Sequence, residues 1–480
     1  MCMKKNILTL VAVFFVLQLS AQFTVSETNA VDYPLVKKPT SQYFHFTDKD
    51  YFLLTYPDVV NPGYNLFVVD NAGQLKDKSE IEYDKGVFNN SKIIHSFHQL
   101  GNRMIAVLEC RNKSEGKNRL VVRTLSGDGN LKADDKEIGS MDYEKMMNPG
   151  DWFVYSTADR QHMAIISINP TEKEQPLKGK YYFLDASLAV LFSGDFTIGS
   201  EKKKRYSFKM LASDKGDFYL INNEFDQSYL YPVVYRKPAA DKAFSEFAVM
   251  LPDPNKNIGY AAAIAPDGNL VLGGYFREKK FMTVGGVPAK GVWFYNTEKP
   301  AAISTQLFDK SITDMVPRGI VFNGNMLFLT GEQMLEEREA RTAATMSASF
   351  DDNYNYKFGN IVVTGYDAAS DTKFDLQLPR AFTARNIIAD IEPAYAVVNG
   401  KFTLIYNDAL SKYKSGASSY YKVPVSVTVT NEGLMEQPAN YAKELPQGSY
   451  ILLPFYFGAT ANKLSILSSN GAEVKMINFK

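Results

Sequence analysis

The sequence predicts an all-β protein folded as a β-propeller: eight blades in a ring, each of four antiparallel strands. Three observations carry this. An apolar strand followed by a polar turn recurs eight times along the 480 residues. Tight-turn dipeptides separate the strands that precede most of these copies. Many of the recurring strands are apolar on both faces, as in Leu66-Phe67-Val68-Val69, which suits a sheet covered on both sides; a sheet with one wet face would alternate.

The recurring strand stands at residues 66–69 ahead of Asp70-Asn71-Ala72-Gly73, and at 120–122 ahead of Ser126-Gly127-Asp128-Gly129. It returns at 181–184, 233–235, 292–295 and 361–364. The last two copies are 425–429, before Asn431-Glu432-Gly433, and 464–467, before Ser469-Asn470-Gly471. The tight turns are Gly101-Asn102, Lys215-Gly216, Asp267-Gly268, Asn323-Gly324 and Asn399-Gly400. Each unit then reads strand A, tight turn, strand B, longer loop, strand C, tight turn, strand D. At roughly 45–60 residues it has the length of a propeller repeat. Stacking such sheets face to face in a closed ring leaves only short, protected edges. Seven blades is the alternative count, because the last unit has a weak A strand near 440–445. Segment 23–38 is expected to complete or brace that blade. The alternative architecture is two packed β domains joined at the linker-like stretch 253–257.

Residues 1–21 read as a cleaved signal peptide, leaving 22–480 as a single propeller domain. Lys4 and Lys5 precede an apolar run from Ile7 to Leu19, and Ser20-Ala21 supplies the small residues a signal peptidase needs. That run is too short for a transmembrane anchor, which takes about 20 residues. The expected location is secreted, periplasmic or on the outer surface. With 53 basic and 53 acidic residues the chain carries no net charge, so nucleic acid is not an expected partner. Of the two cysteines, Cys2 leaves with the signal, and Cys110 shares an apolar face with Met104, Ala106 and Leu108. No disulfide is available and the fold must stand on its core.

One unit carries a family resemblance. Asp267-Gly268-Asn269 leads into the Gly-rich strand Leu270-Val271-Leu272-Gly273-Gly274, then Gly285-Gly286 and the aromatic strand Val292-Trp293-Phe294-Tyr295. This resembles the repeats of bacterial extracellular β-propellers. The resemblance implies fold and secretion, not activity, because propellers host many functions.

Catalytic motifs are absent. Asp351, Asn353 and Asn355 have the start of a calcium-loop spacing, but Tyr356 stands where the glycine belongs and Val362 where the glutamate belongs. His95 and His98, three apart on a strand, are expected on opposite faces. No nucleophile elbow or phosphate loop is present, and no cofactor or metal is expected. Function is therefore sought on the face where the B–C loops and D–A connections emerge, since binding residues concentrate in long loops on rigid scaffolds. The longest B–C loops are 277–290, 331–359 and 407–422. They carry, with Phe276 at the edge of the first, the candidate ligand-binding residues Phe276, Arg277, Lys280, Phe281, Tyr354, Tyr356, Tyr413, Tyr420 and Tyr421. Tyrosine gives contact area at low entropy cost, and beside Lys and Arg it suits a glycan or a peptide or protein partner. The first part of 332–349 has strong helix formers and is expected to lie as a helix over the ring. The function expected is a binding or structural module. The alternative is a glycan-cleaving hydrolase with an Asp/Glu pair near the central channel, recognisable by carboxyls of raised pKa at the ring mouth.

Overall fold

A computed structural model of the chain describes the residues from Phe23 to Lys480. The exceptions are 33–39, 48, 57–62, 71–73, 77–78, 84–85, 88–89, 133, 144–147, 171–174, 200–206, 227–228, 279–286, 301, 339–353, 368, 370–371, 381, 386–391, 418–420, 437, 442, 444–450 and 471. The signal segment thus lies outside the described residues.

Strands that are adjacent in sequence pair antiparallel, and they close into eight separate sheets. Blade 1 is Thr40–His45, Lys49–Tyr56, Gly63–Asp70 and Ser79–Glu80. Blade 2 is Asn90–Leu100, Arg103–Asn112, Lys117–Leu125 and Lys136–Asp142, with Gly86–Val87 added beside its first strand. Blade 3 is Asp151–Ser156, His162–Ile168, Leu177–Asp185 and Val190–Ile198. Blade 4 is Lys209–Ala212, Phe218–Asp226, Tyr229–Lys237 and Ser245–Ala248. Blade 5 is Asn255–Ile264, Leu270–Glu278, Pro288–Asn296 and Ile303–Thr313. Blade 6 is Met315–Asn323, Met326–Arg338, Tyr354–Asp367 and Thr372–Leu378, with Phe382–Arg385 on its third strand. Blade 7 is Ala394–Val398, Lys401–Ala409, Lys422–Val429 and Ala439–Asn440. Blade 8 is Ile451–Thr460, Lys463–Ser469 and Glu473–Phe479, and its fourth strand is Val25–Glu27 from the other end of the chain.

The protein is an eight-bladed β-propeller. First strands of successive blades pack on one another around the axis. Blades 1 and 2 join where Gln99 accepts from the His45 amide at 3.1 Å and donates to the His45 carbonyl at 2.6 Å.

The hydrophobic core is divided in the same way. Each buried cluster draws on two consecutive blades, and there is one cluster for each seam. This is why the third strands are apolar on both sides: Leu66 packs toward blade 2 while Phe67 packs toward blade 8. The five tight-turn dipeptides all join first to second strands. Their glycines take positive φ, +94° at Gly268 for example, a conformation that a Cβ disfavours.

Blade 8 differs from the sequence expectation in phase. Its first strand is Ile451–Thr460, not a segment near 440–445, and Ala439–Asn440 is instead the outer strand of blade 7. The copy at 464–467 is a second strand, and Glu473–Phe479 is the third. The reason is the chain closure. Val25–Glu27 fills the outer position, as segment 23–38 was expected to do, so the C-terminal part needs only three strands. Val31–Asp32 pairs further along the same strand.

The expected helix within 332–349 is absent from its described part. Glu332–Arg338 continues the second strand of blade 6 and pairs with Tyr354–Asp367, Leu335 facing Lys357 and Glu337 facing Asn355. Residues 339–349 lie outside the described residues. Helix propensity is worth only tenths of a kcal/mol per residue, and here a continuous ladder outweighs it.

Candidate binding face

Second-to-third-strand loops and blade-to-blade connections share one face, the loop face. Some of the large exposed side chains lie there, while Val190, Leu191, Leu307, Leu434 and Met435 are exposed on outer strands or third-to-fourth-strand turns. Phe225, Met250, Leu335, Tyr413, Tyr421, Ile451 and Phe455 all lie at the loop-face ends of blades 4 and 6–8 or in their connections, and Phe225 is 68% exposed.

The structure separates the sequence candidates. Tyr421 is open to solvent. The Tyr413 ring is 37% exposed, with its hydroxyl donating to Asp408 Oδ2 at 2.9 Å. Burial of that hydroxyl and the Asp408 charge push its pKa well above the ordinary tyrosine value. Arg277 is half-buried, its guanidinium 5.4 Å from the centre of the Tyr229 ring. Phe276 does not face the loop surface. It is 1% exposed and belongs to the core between blades 4 and 5, because alternation along Leu270–Glu278 turns it inward. Tyr356 is likewise buried, beside Phe358 in blade 6. Lys280, Phe281 and Tyr420 lie outside the described residues, as does the side chain of Tyr354; so do Asp351 and Asn353 of the incomplete calcium spacing.

Beneath Tyr413 lies a charged layer that the sequence did not disclose. Glu332 and Arg380 are fully buried and paired, Glu332 also pairs with Arg318, and Arg318 reaches Glu392 at 2.9 Å. Lys412 joins Asp408 at 2.9 Å and donates to the Pro379 carbonyl at 2.8 Å. Closer to the axis, blades 4, 5 and 6 leave a recess of about 390 Å³ lined by Ser207, Lys209, Asn223, Tyr260 and Pro317. Tyr260 donates to Asn223 Oδ1 at 2.5 Å and its pKa is pushed up to about 12 by burial, while burial lowers that of Lys209.

The seam between blades 2 and 3 carries two acids, Glu109 on the second strand of blade 2 and Asp151 at the start of the innermost strand of blade 3. Glu109 accepts from Arg111 at 2.9 and 3.0 Å and from Asn118 at 2.6 Å. Burial, and then the Glu109 charge, raise the pKa of Asp151 nearby, against the pull of Arg111.

The histidines are not arranged as their spacing suggested. A β-bulge between Ile94 and Ser96 adds one residue to the strand and re-aims the side chains after it. His95 and His98 are thereby bridged by one hydroxyl: Ser96 Oγ lies 3.0 Å from His95 Nδ1 and 2.8 Å from His98 Nε2. Burial, and then the nearby His95, push the His98 pKa down to about 3. The folded protein therefore holds His98 neutral where the unfolded chain takes up a proton. That stability is complete above about pH 6.5 and is lost as pH falls from there toward 3. His98→Gln is expected to flatten this acid limb by on the order of 2–4 kcal/mol, read as urea midpoints between pH 8 and pH 4.

Among the described residues no three His, Cys, Asp or Glu side chains gather to hold a metal, and no helix is long and apolar enough to cross a membrane. No family model and no curated protein matches the chain. Among solved structures it is similar to the polysaccharide lyase Uly1, at 10% identity over 96% of this chain and 98% of that one, with a TM-score of 0.37. It is also similar to the β-propeller domain of the Trilobed protease from Pyrococcus furiosus, at 10% identity over 87% and 96%, TM-score 0.35. A third similar structure is the α-L-arabinanase of Penicillium chrysogenum, at 8% identity over 64% and 94%, TM-score 0.35.

Proposed function

We propose that this protein is exported, after loss of residues 1–21, and acts as a binding module that holds a glycan or an extended peptide on its loop face. The observation that supports the reading is the pairing of exposed rings with neutralised charge. Tyr421 is exposed, and Tyr413, anchored through its hydroxyl to Asp408, presents part of its ring above acids and bases already committed to one another. Such a surface offers rings for stacking and few ionised groups free to act as acid or base. With charges balanced, affinity should depend little on salt, unlike a nucleic-acid binder. A glycan array and a peptide pull-down with the mature chain test this. Tyr413→Ala and Tyr421→Ala are each expected to weaken the captured ligand roughly tenfold or more. Unchanged binding in both removes the loop face from consideration.

One observation favours a second reading. Asp151, the first residue of the innermost strand of blade 3, is a carboxyl whose pKa is raised by burial and by the nearby Glu109 charge, as a proton-donating acid requires. If the chain cleaves glycans, new reducing ends appear on the array ligands and Asp151→Asn abolishes them. Binding without cleavage leaves the first reading alone.

A further inference from the structure

The seam between blades 2 and 3 holds a hydrogen-bond chain whose direction is set by its last member. His95 Nε2 lies 2.9 Å from the backbone carbonyl of Trp152, and a carbonyl only accepts. His95 Nε2 therefore carries the hydrogen. In a neutral imidazole the other nitrogen is then an acceptor, so the Ser96 hydroxyl donates to His95 Nδ1. With its hydrogen so placed, Ser96 Oγ accepts from His98 Nε2–H. His98 Nδ1 in turn accepts from the Ser156 hydroxyl at 2.9 Å. The low pKa of His98 agrees with its neutrality.

Ser96 thus sits between a base aimed at its proton and a donor aimed at its oxygen. The base is oriented by a third group, which is the general arrangement of an activated nucleophile. His95 is exposed and Ser96 half-buried, on the innermost strand of blade 2. Among the described residues that strand pairs on its inner edge only with Gly86–Val87, which leaves the backbone N–H groups beyond this pairing without a ladder partner on the channel side.

We propose that Ser96 is the nucleophile of an acyl-transfer site, with His95 as its base, acting on small carboxylic esters that enter the central channel. Ser96 Oγ forms a bond to the acyl carbon as its proton passes to His95 Nδ1, and the carbonyl oxygen takes the negative charge. His95, now cationic, keeps its Nε2–H on the Trp152 carbonyl. Collapse breaks the bond to the alcohol, which leaves with the proton from His95. Water then attacks the acyl-serine, passes a proton to His95, and the acid departs as that proton returns to Ser96. No oxidant, metal or cofactor enters the balance.

The test is labelling of the folded full-length mature protein with an alkyl fluorophosphonate, followed by peptide mass spectrometry, beside turnover of p-nitrophenyl acetate. The expected result is a single adduct on Ser96, none on Ser156, with labelling slowed about 100-fold in His95→Gln. Circular dichroism is the check that this variant folds. Nitrogen-15 NMR of the wild type supplies a check independent of any variant: His95 and His98 should both be Nε2–H tautomers at neutral pH. Absence of the Ser96 adduct, equal labelling in His95→Gln, or an Nδ1–H tautomer at His95 overturns the proposal. None of these outcomes bears on Tyr413 or Tyr421, so the binding reading stands or falls separately.

Discussion

A chain beginning after Asp32 is expected to lose on the order of 5 kcal/mol of stability and to aggregate. Residues 23–32 supply the outer strand of blade 8. Val25 pairs with Phe479, Glu27 with Ile477 and Val31 with Val474. Thr24 and Lys480 exchange backbone hydrogen bonds at 3.0 and 3.1 Å, and Thr28 both donates to and accepts from the Met476 backbone at 3.0 Å. Glu27 adds an ion pair to Lys475 at 2.5 Å. At about 1 kcal/mol net for each hydrogen bond, and with the buried Val31 exposed, the sum reaches that size. The remaining edge, Glu473–Phe479, would present unpaired backbone groups, a template for another chain. Urea denaturation measures the first effect and light scattering the second. Recovery of the midpoint on adding a peptide of residues 23–32 would show that the strand, not some effect of truncation, is responsible. An unchanged midpoint would mean that the ring is held by its seams alone.

The architecture was legible because it repeats. A third strand that must be apolar on both faces leaves the same mark in blades 1 to 7, and turns needing positive φ leave glycine at Gly268 and Gly400. The features that stayed hidden depend on single, unrepeated events. The bulge at Ile94–Ser96 shifts the alternation by one residue, and nothing in His95-Ser96-Phe97-His98 marks it. Phe276 and Tyr356 read as loop aromatics because the ladders of blades 5 and 6 run past them, to Glu278 paired with Asn255 and to Arg338 paired with Tyr354, which draws loop-edge residues into the sheet. Glu332 read as a helix residue because Arg380, the partner that justifies its burial, is 48 positions away in sequence. The phase of blade 8 could be set only by knowing that the first strand in the chain is the last strand of the ring.

Glu332→Gln should cost about 3–5 kcal/mol, since it removes one member of a buried pair and leaves the other charged. Arg380 is as fully buried as Glu332, and its guanidinium lies 5.8 Å from the Phe358 ring centre and 6.0 Å from that of Tyr406. Burial lowers the Arg380 pKa, with Glu332 pulling the other way. Such a group does not deprotonate near neutral pH, so loss of Glu332 leaves a cation among rings that compensate it only in part. Arg318 would keep Glu392. Arg380→Met alone should be costly for the converse reason. The double variant Glu332→Gln, Arg380→Met should cost less than the sum of the two by at least about 2 kcal/mol, read from urea midpoints in a double-mutant cycle. Additivity would mean that the two charges do not depend on each other. The same layer supports the binding face: Lys412 reaches Pro379, the neighbour of Arg380, while Asp408 holds both Lys412 and Tyr413. Glu332→Gln should therefore weaken the ligand captured by Tyr413 as well as the fold, whereas Tyr421→Ala, with its exposed ring, should weaken the ligand alone.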